Sequence, residues 1–133
     1  MSSATASKYG IKNAPNAEQL QNLKNLAENI LQPIRDEWNA PIKVSSGFRC
    51  PLLNKKVKGA ANSDHIYGAA ADIHTISDTI ADNKKLWDLI IKMKNEGKIK
   101  CRQIINEYNY NWIHVSINHK RNSYKNNEIK IIK

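Results

Sequence analysis

At 133 residues the chain is long enough for one domain with a single modest core, and its 41% hydrophobic composition excludes a disordered tail. No run reaches the roughly 18 apolar residues that a membrane-spanning helix needs. Twenty-one Lys and Arg against twelve Asp and Glu leave a formal charge of +9, which favours polyanions such as nucleic acid, an anionic membrane surface or anionic wall polymer. The charge is spread along the chain without recognition-helix or zinc-finger spacing, so no specific nucleic acid is expected.

Residues 1–14 carry Ser, Gly and Asn without a sustained period, end at Pro15, and read as an irregular N-terminal arm. They are too polar for a secretory signal peptide, so synthesis without export by that route is expected. A helix is expected from Asn16, which with Gln19 has the spacing of a capping box. Leu20, Leu23, Ala27, Ile30, Leu31 and Ile34 then fall near one face, and Pro33 should kink or end the regular helix. Pro41 to Gly47 reads as a turn, a short strand and a second turn, and Ala69 to Ile73 as a buried strand.

A second helix is expected from about Asp82 to Asn95, with Leu86, Ile90 and Met93 on its inner side and Gly97 as its stop. Ile99–Ile105 and Trp112–Ile117 read as two strands around the turn at 106–111. The tail from Asn118 is polar and basic until Ile129, Ile131 and Ile132, which form a last edge strand or stay loose. Cys50 and Cys101 belong to no CxxC pair and are expected as free thiols. Residues 15–133 thus read as a single domain with a polar C-terminal tail.

The chemistry concentrates in three side chains. His65 lies in a loop, Asp72 lies seven residues later inside the apolar run Ala69-Ala70-Ala71-Asp72-Ile73, and His114 lies in the strand-like Trp112-Ile113-His114-Val115-Ser116. An unpaired carboxylate inside such a run is costly to bury. Two nitrogens and one oxygen suit a zinc site with an open fourth position better than an all-oxygen calcium or magnesium site. On the residues alone, His65 as a polar loop residue and His114 as a core histidine stay open. His74 and His119 read as solvated side chains or as groups that orient a ligand.

Ser63-x-His65-x-x-Gly68-x-Ala70-x-Asp72-Ile73, followed by Trp112-x-His114-Val115-Ser116, resembles the zinc D-Ala-D-Ala carboxypeptidases, and within them the short phage-endolysin-like branch. More distantly it resembles the D-Ala-D-Ala dipeptidases and the hedgehog signalling domain. Leu31-x-Pro33-Ile34-Arg35, Ser46-Gly47-Phe48-Arg49 and Asn54 belong to the same resemblance, which spans residues 15–120. It implies an α+β fold with helices over a small antiparallel sheet, and one zinc ion held by His65, Asp72 and His114.

In much of that family an acid lies three residues before the last histidine. Here that position is Asn111, which cannot accept a proton. Glu107, seven residues before His114, matches the phage-like and hedgehog-like placement and is the expected catalytic base. Arg49 is expected to grip a substrate carboxylate or steady the oxyanion. Ser63, Tyr67 and Trp112 are expected to line the substrate site, and no GxSxG elbow surrounds Ser63 to make it a nucleophile.

The function this implies is hydrolysis of amide bonds in peptidoglycan stem peptides, as an endopeptidase or D,D-carboxypeptidase acting as a monomer. A phage-type endolysin made in the host cytoplasm, reaching the wall after a holin opens the membrane, fits the size and charge. Two rivals stay open: a noncatalytic zinc-containing binding module and a basic nucleic-acid-binding protein.

Overall fold

The computed structural model describes residues 14–50, 54–55, 63–119 and 128–132. Most of the expected N-terminal arm, residues 51–53 and 56–62, and the polar, basic stretch over 120–127 lie outside these described residues.

Helix α1 (Ala17–Leu26) opens on the expected capping box. The Asn16 side chain accepts the Gln19 amide N–H at 2.8 Å, and the Gln19 side chain accepts the Asn16 N–H at 2.8 Å. Pro33 does not end the helix. One π turn over Ala27–Leu31, in which the Gln32 N–H reaches back to the Ala27 carbonyl, carries the chain into α2 (Gln32–Trp38). A wider turn relieves the crowding that the proline ring imposes on the preceding turn.

The buried stripe also differs from the one expected. Leu26, Ile30 and Ile34, each four apart, are fully buried, whereas Leu20 is 58% exposed and Ala27 faces solvent. The 3.6-residue stripe starting at Leu20 is corrected accordingly. Asn39, in the left-handed conformation, closes α2.

Five strands follow among the described residues: β1 (Ile42–Ser46), β2 (Ala70–Thr75), β3 (Gln103–Glu107), β4 (Trp112–Ser116) and β5 (Glu128–Ile132). They form one sheet in the order β1-β2-β4-β3-β5. Every pairing is antiparallel except β3 with β5, so the sheet is mixed and not the antiparallel sheet expected. The reason is geometric. β4 is already flanked by β2 and β3, so the returning chain must take an outer edge. Running opposite to β4, it lies parallel to β3.

Helix α3 (Ile80–Asn95) is capped by Thr79, whose hydroxyl accepts the Asp82 N–H at 3.2 Å. Its Leu86, Trp87, Ile90 and Met93 join Leu26, Ile30 and Ile34 of the first helical segment in one core. From the sheet, Ala71, Ile73, Ile104, Ile113 and Val115 enter the same cluster. Because side chains alternate across a strand, the opposite face receives Asp72, His114, Ile105, Glu107 and Trp112. One face builds the core and the other carries the chemistry.

Candidate metal centre

Asp72 on β2 and His114 on β4 are direct cross-strand partners, which alone places a carboxylate beside an imidazole. His65 arrives from a 3₁₀ turn, Asp64–Tyr67, immediately before β2. Ser63 caps that turn by accepting the His65 N–H at 3.2 Å. The turn ends at Gly68 with φ +73°, and Ala69 donates back to the Asp64 carbonyl at 3.0 Å.

Helix α1 clasps the same turn from outside. Gln19 donates to the Ile66 carbonyl at 3.1 Å and Asn22 to the Tyr67 carbonyl at 2.8 Å. The approach is so close that a Cβ on Gly68 would lie 2.3 Å from the Gln19 carbonyl oxygen. Gly68→Ala is therefore expected to cost about 2 kcal/mol or more, from the left-handed backbone and the clash together. The displaced turn should also weaken zinc binding through His65. Chemical denaturation and chelator competition check the two effects separately.

The three ligand atoms converge. His65 Nε2 lies 3.2 Å and His114 Nδ1 3.1 Å from the same Asp72 oxygen, Oδ1. One candidate atom from each of the three buried residues falls within 4.8 Å of the others. The imidazole rings meet edge to face, with centroids 5.1 Å apart.

The local hydrogen bonding fits a cation here. His65 Nδ1 lies 2.7 Å from the Gly47 carbonyl, which can only accept, so Nδ1 carries the proton. In the neutral ring that leaves the Nε2 lone pair aimed at a carboxylate oxygen. Two lone-pair groups facing each other in a buried site are what a positive ion relieves, and the donor mixture is that of a zinc site. His114 Nε2 is buried and has no hydrogen-bond partner among the described residues.

Burial pushes the Asp72 carboxyl up, but hydrogen bonds from His114 and from His65, which donates at Nε2 when both its ring nitrogens carry protons, outweigh it and hold the group well below the usual carboxylate range. The carboxylate is thus available to a metal at neutral pH.

Glu107, half-buried at the end of β3, shares the sheet face of His114. The Trp112 indole N–H donates to its carboxylate. Burial, and then the charge of Asp72, push the Glu107 carboxyl up, opposed by His114, the Trp112 hydrogen bond and His65. In the metal-free protein Glu107 should therefore titrate above an ordinary glutamate. Trp112→Phe, which removes a lowering contact, should raise it further. Carboxyl chemical shifts followed against pH check both.

Arg49 approaches from the segment after β1, its amide donating to the His65 carbonyl at 3.0 Å. Its guanidinium reaches the Ser63 hydroxyl at 3.4 Å, and its Nε is buried without a hydrogen-bond partner among the described residues. Burial lowers the Arg49 pKa, while Asp72 and Glu107 raise it, so all three charges feel one another. The Tyr67 ring lies against that of His119, centroids 4.8 Å apart.

Two residues read as bystanders prove to be structural. His119, expected as a solvated or ligand-orienting side chain, is buried and bonds Asp64 at 3.0 Å. The other Asp64 oxygen takes Arg102 at 2.7 Å, so an ion-paired cluster backs the His65 turn. His74 is half-buried against the Thr75 carbonyl. Asn83, which the sequence reading passed over, is buried in α3. It falls three residues before Leu86 and seven before Ile90, and a polar residue on that apolar stripe was the available signal.

The α+β scaffold carries on its polar sheet face a buried His-Asp-His donor set that could hold a metal ion, with an acid and an arginine close enough to feel its charge. The chain matches the family described as Peptidase M15 over residues 1–116 and belongs to it, the zinc D-Ala-D-Ala carboxypeptidase family. Members of that family are zinc-dependent. No curated protein matches the chain. No helix among the described residues is long and apolar enough to cross a membrane.

Proposed function

We propose that the chain hydrolyses amide bonds in the stem peptides of bacterial peptidoglycan, with His65, Asp72 and His114 holding one zinc ion and Glu107 as the base. The observation that carries the reading is the shared face. Register places Glu107 two residues along β3 from Ile105, the direct partner of His114, so acid and donor set look into the same space.

A zinc ion held by His65, Asp72 and His114 would supply Lewis acidity, which polarises a carbonyl and lowers the pKa of water toward 7. The residues of the chain supply the rest. Glu107 takes a proton from the attacking water and passes it to the leaving nitrogen. Trp112 holds the Glu107 carboxylate in one orientation. Arg49, with donor capacity left over and a negative pair beside it, grips a substrate carboxylate or steadies the oxyanion. Ser63 orients Arg49 and His65, and Tyr67 borders the turn.

A phage-type endolysin that acts at the wall after holin-type release, as a monomer, is the setting proposed for this activity. The basic charge supports it, since the wall carries anionic polymer. Mass spectrometry of defined muropeptides, incubated with chelated and with zinc-restored protein, tests activity, metal need and bond choice together. Zinc-dependent cleavage is expected. Intact muropeptides beside a metal-loaded protein would instead make it a binding module.

A further inference from the structure

Asn83 sits on the first turn of α3, and only 1% of it is exposed. Its side chain is fully engaged. The amide oxygen accepts the Thr75 N–H at 2.9 Å and the Thr75 hydroxyl at 2.8 Å. The amide nitrogen donates to the Tyr110 carbonyl at 2.9 Å and to Asp78 Oδ1 at 3.1 Å. An asparagine amide has two donors and an acceptor with two lone pairs, so this one has no freedom to flip or turn.

The two ends of that amide hold the two halves of the site. Thr75 ends β2, three residues after Asp72. Tyr110 lies in the turn between Glu107, the last residue of β3, and Trp112, the first of β4. That turn is an improbable one. Tyr108, Asn109 and Tyr110 all have positive φ, at 54°, 56° and 64°, and none is glycine. Three successive side chains in the left-handed region are disfavoured by contact between Cβ and backbone, so the turn needs outside support.

The support converges on one residue. Tyr110 is held at its carbonyl by Asn83 and at its N–H by the buried Asn106, whose side-chain oxygen accepts at 2.8 Å. Tyr108 donates to the Ile132 carbonyl of β5 at 2.7 Å. The turn joins Glu107 directly to Trp112, the cross-strand pair in which the indole N–H donates to the carboxylate.

We infer that Asn83, with Asn106, is a positioning residue for the base. It fixes the hairpin that orients Glu107 to the strand that supplies Asp72, and so sets the separation of base and metal site. The inference rests on the role proposed above for Glu107.

The test uses Asn83→Ala, Asn83→Asp and Asn106→Ala in the full chain. Asn83→Asp keeps the oxygen that faces Thr75 and loses the donor to Tyr110. Three readouts separate the possibilities: the Trp112 indole N–H resonance, assigned by its loss in Trp112→Phe; zinc affinity by chelator competition; and kcat and KM on a soluble muropeptide.

In each variant the indole resonance should move toward that of a free indole. Zinc affinity should stay within about twofold and KM within about threefold, while kcat falls about 10- to 100-fold, the usual cost of a misplaced catalytic group. Asn106→Asp, which restores an oxygen acceptor for the Tyr110 N–H, should recover both the resonance and kcat. An unmoved indole resonance in a folded variant would overturn the inference. So would zinc affinity that falls in step with kcat, because the effect would then pass through the metal ligands. If Asn83→Ala does not fold, Asn106→Ala decides by the same criteria. A parent protein that cleaves no muropeptide removes the proposed function, yet the indole resonance still reports whether Asn83 orients Glu107.

Discussion

Glu107→Gln should lower kcat by about 10²- to 10⁴-fold, the range a positioned general base contributes, with zinc still bound. The substitution keeps size and leaves an oxygen to accept the Trp112 indole N–H, so the turn should survive. What it removes is the ability to take and return a proton. Its effect on stability has a defined sign. Burial and Asp72 raise the folded-state pKa of Glu107 above its unfolded value. Whatever Glu107 contributes to stability is therefore present at low pH and lost as pH rises through the folded pKa. At neutral pH the uncharged glutamine should leave the metal-free protein as stable as the parent or slightly more so. Thermal unfolding, chelator competition and turnover measured on one preparation check the three statements. Parent-rate turnover by the variant would move the base elsewhere.

Asp72→Ala should have the larger effect, abolishing both zinc binding and hydrolysis. Asp72 Oδ1 is the single oxygen that both His65 and His114 address. Without it two buried imidazoles lose a shared partner, an expected cost of about 3 kcal/mol in the metal-free protein. A ligand present at about a thousand times its Kd stabilises a fold by about 4 kcal/mol. Zinc should therefore raise the unfolding temperature of the parent and of Glu107→Gln, and leave that of Asp72→Ala unchanged. The pH dependence runs opposite to that of Glu107. Hydrogen bonds from the histidines hold the Asp72 carboxyl below its unfolded value. Its stabilising contribution is present above the ordinary carboxylate range, near pH 4, and fades as pH falls toward the depressed folded value. Acid unfolding of metal-free parent and Asp72→Ala should converge at low pH. Curves that stay parallel would show that the carboxylate carries no such linkage.

Local signals in the chain were legible where one residue's chemistry has few uses. A carboxylate within Ala69-Ala70-Ala71-Asp72-Ile73 has to find a partner, and it finds two. Asn16 and Gln19 specify a capping box with no help from the rest of the fold. The apolar spacing of α3 marked its buried side correctly at Leu86, Ile90 and Met93. In the first helix Ile30 and Ile34 are buried as their spacing implies, but Leu26 takes the place expected of Leu20 and Ala27, because packing against α3 and the sheet selects which apolar residues are covered.

Residue identity by itself determined that two imidazoles, an aspartate, a glutamate and an arginine are carried in an order that matches a peptidase family, on segments of recognisable type. Tertiary structure decided which of them meet. Cross-strand register put Asp72 opposite His114 and turned Glu107 to their face, and a one-residue slip would have sent it into the core. It also gave Asn83, Asp64 and His119 their roles, since each acts through partners 27 to 55 residues away. Hydrogen bonds over such separations depend on strand order and helix packing, which no local pattern encodes. The parallel placement of β5 has the same origin, because it follows from which sheet edge was still open when the chain returned.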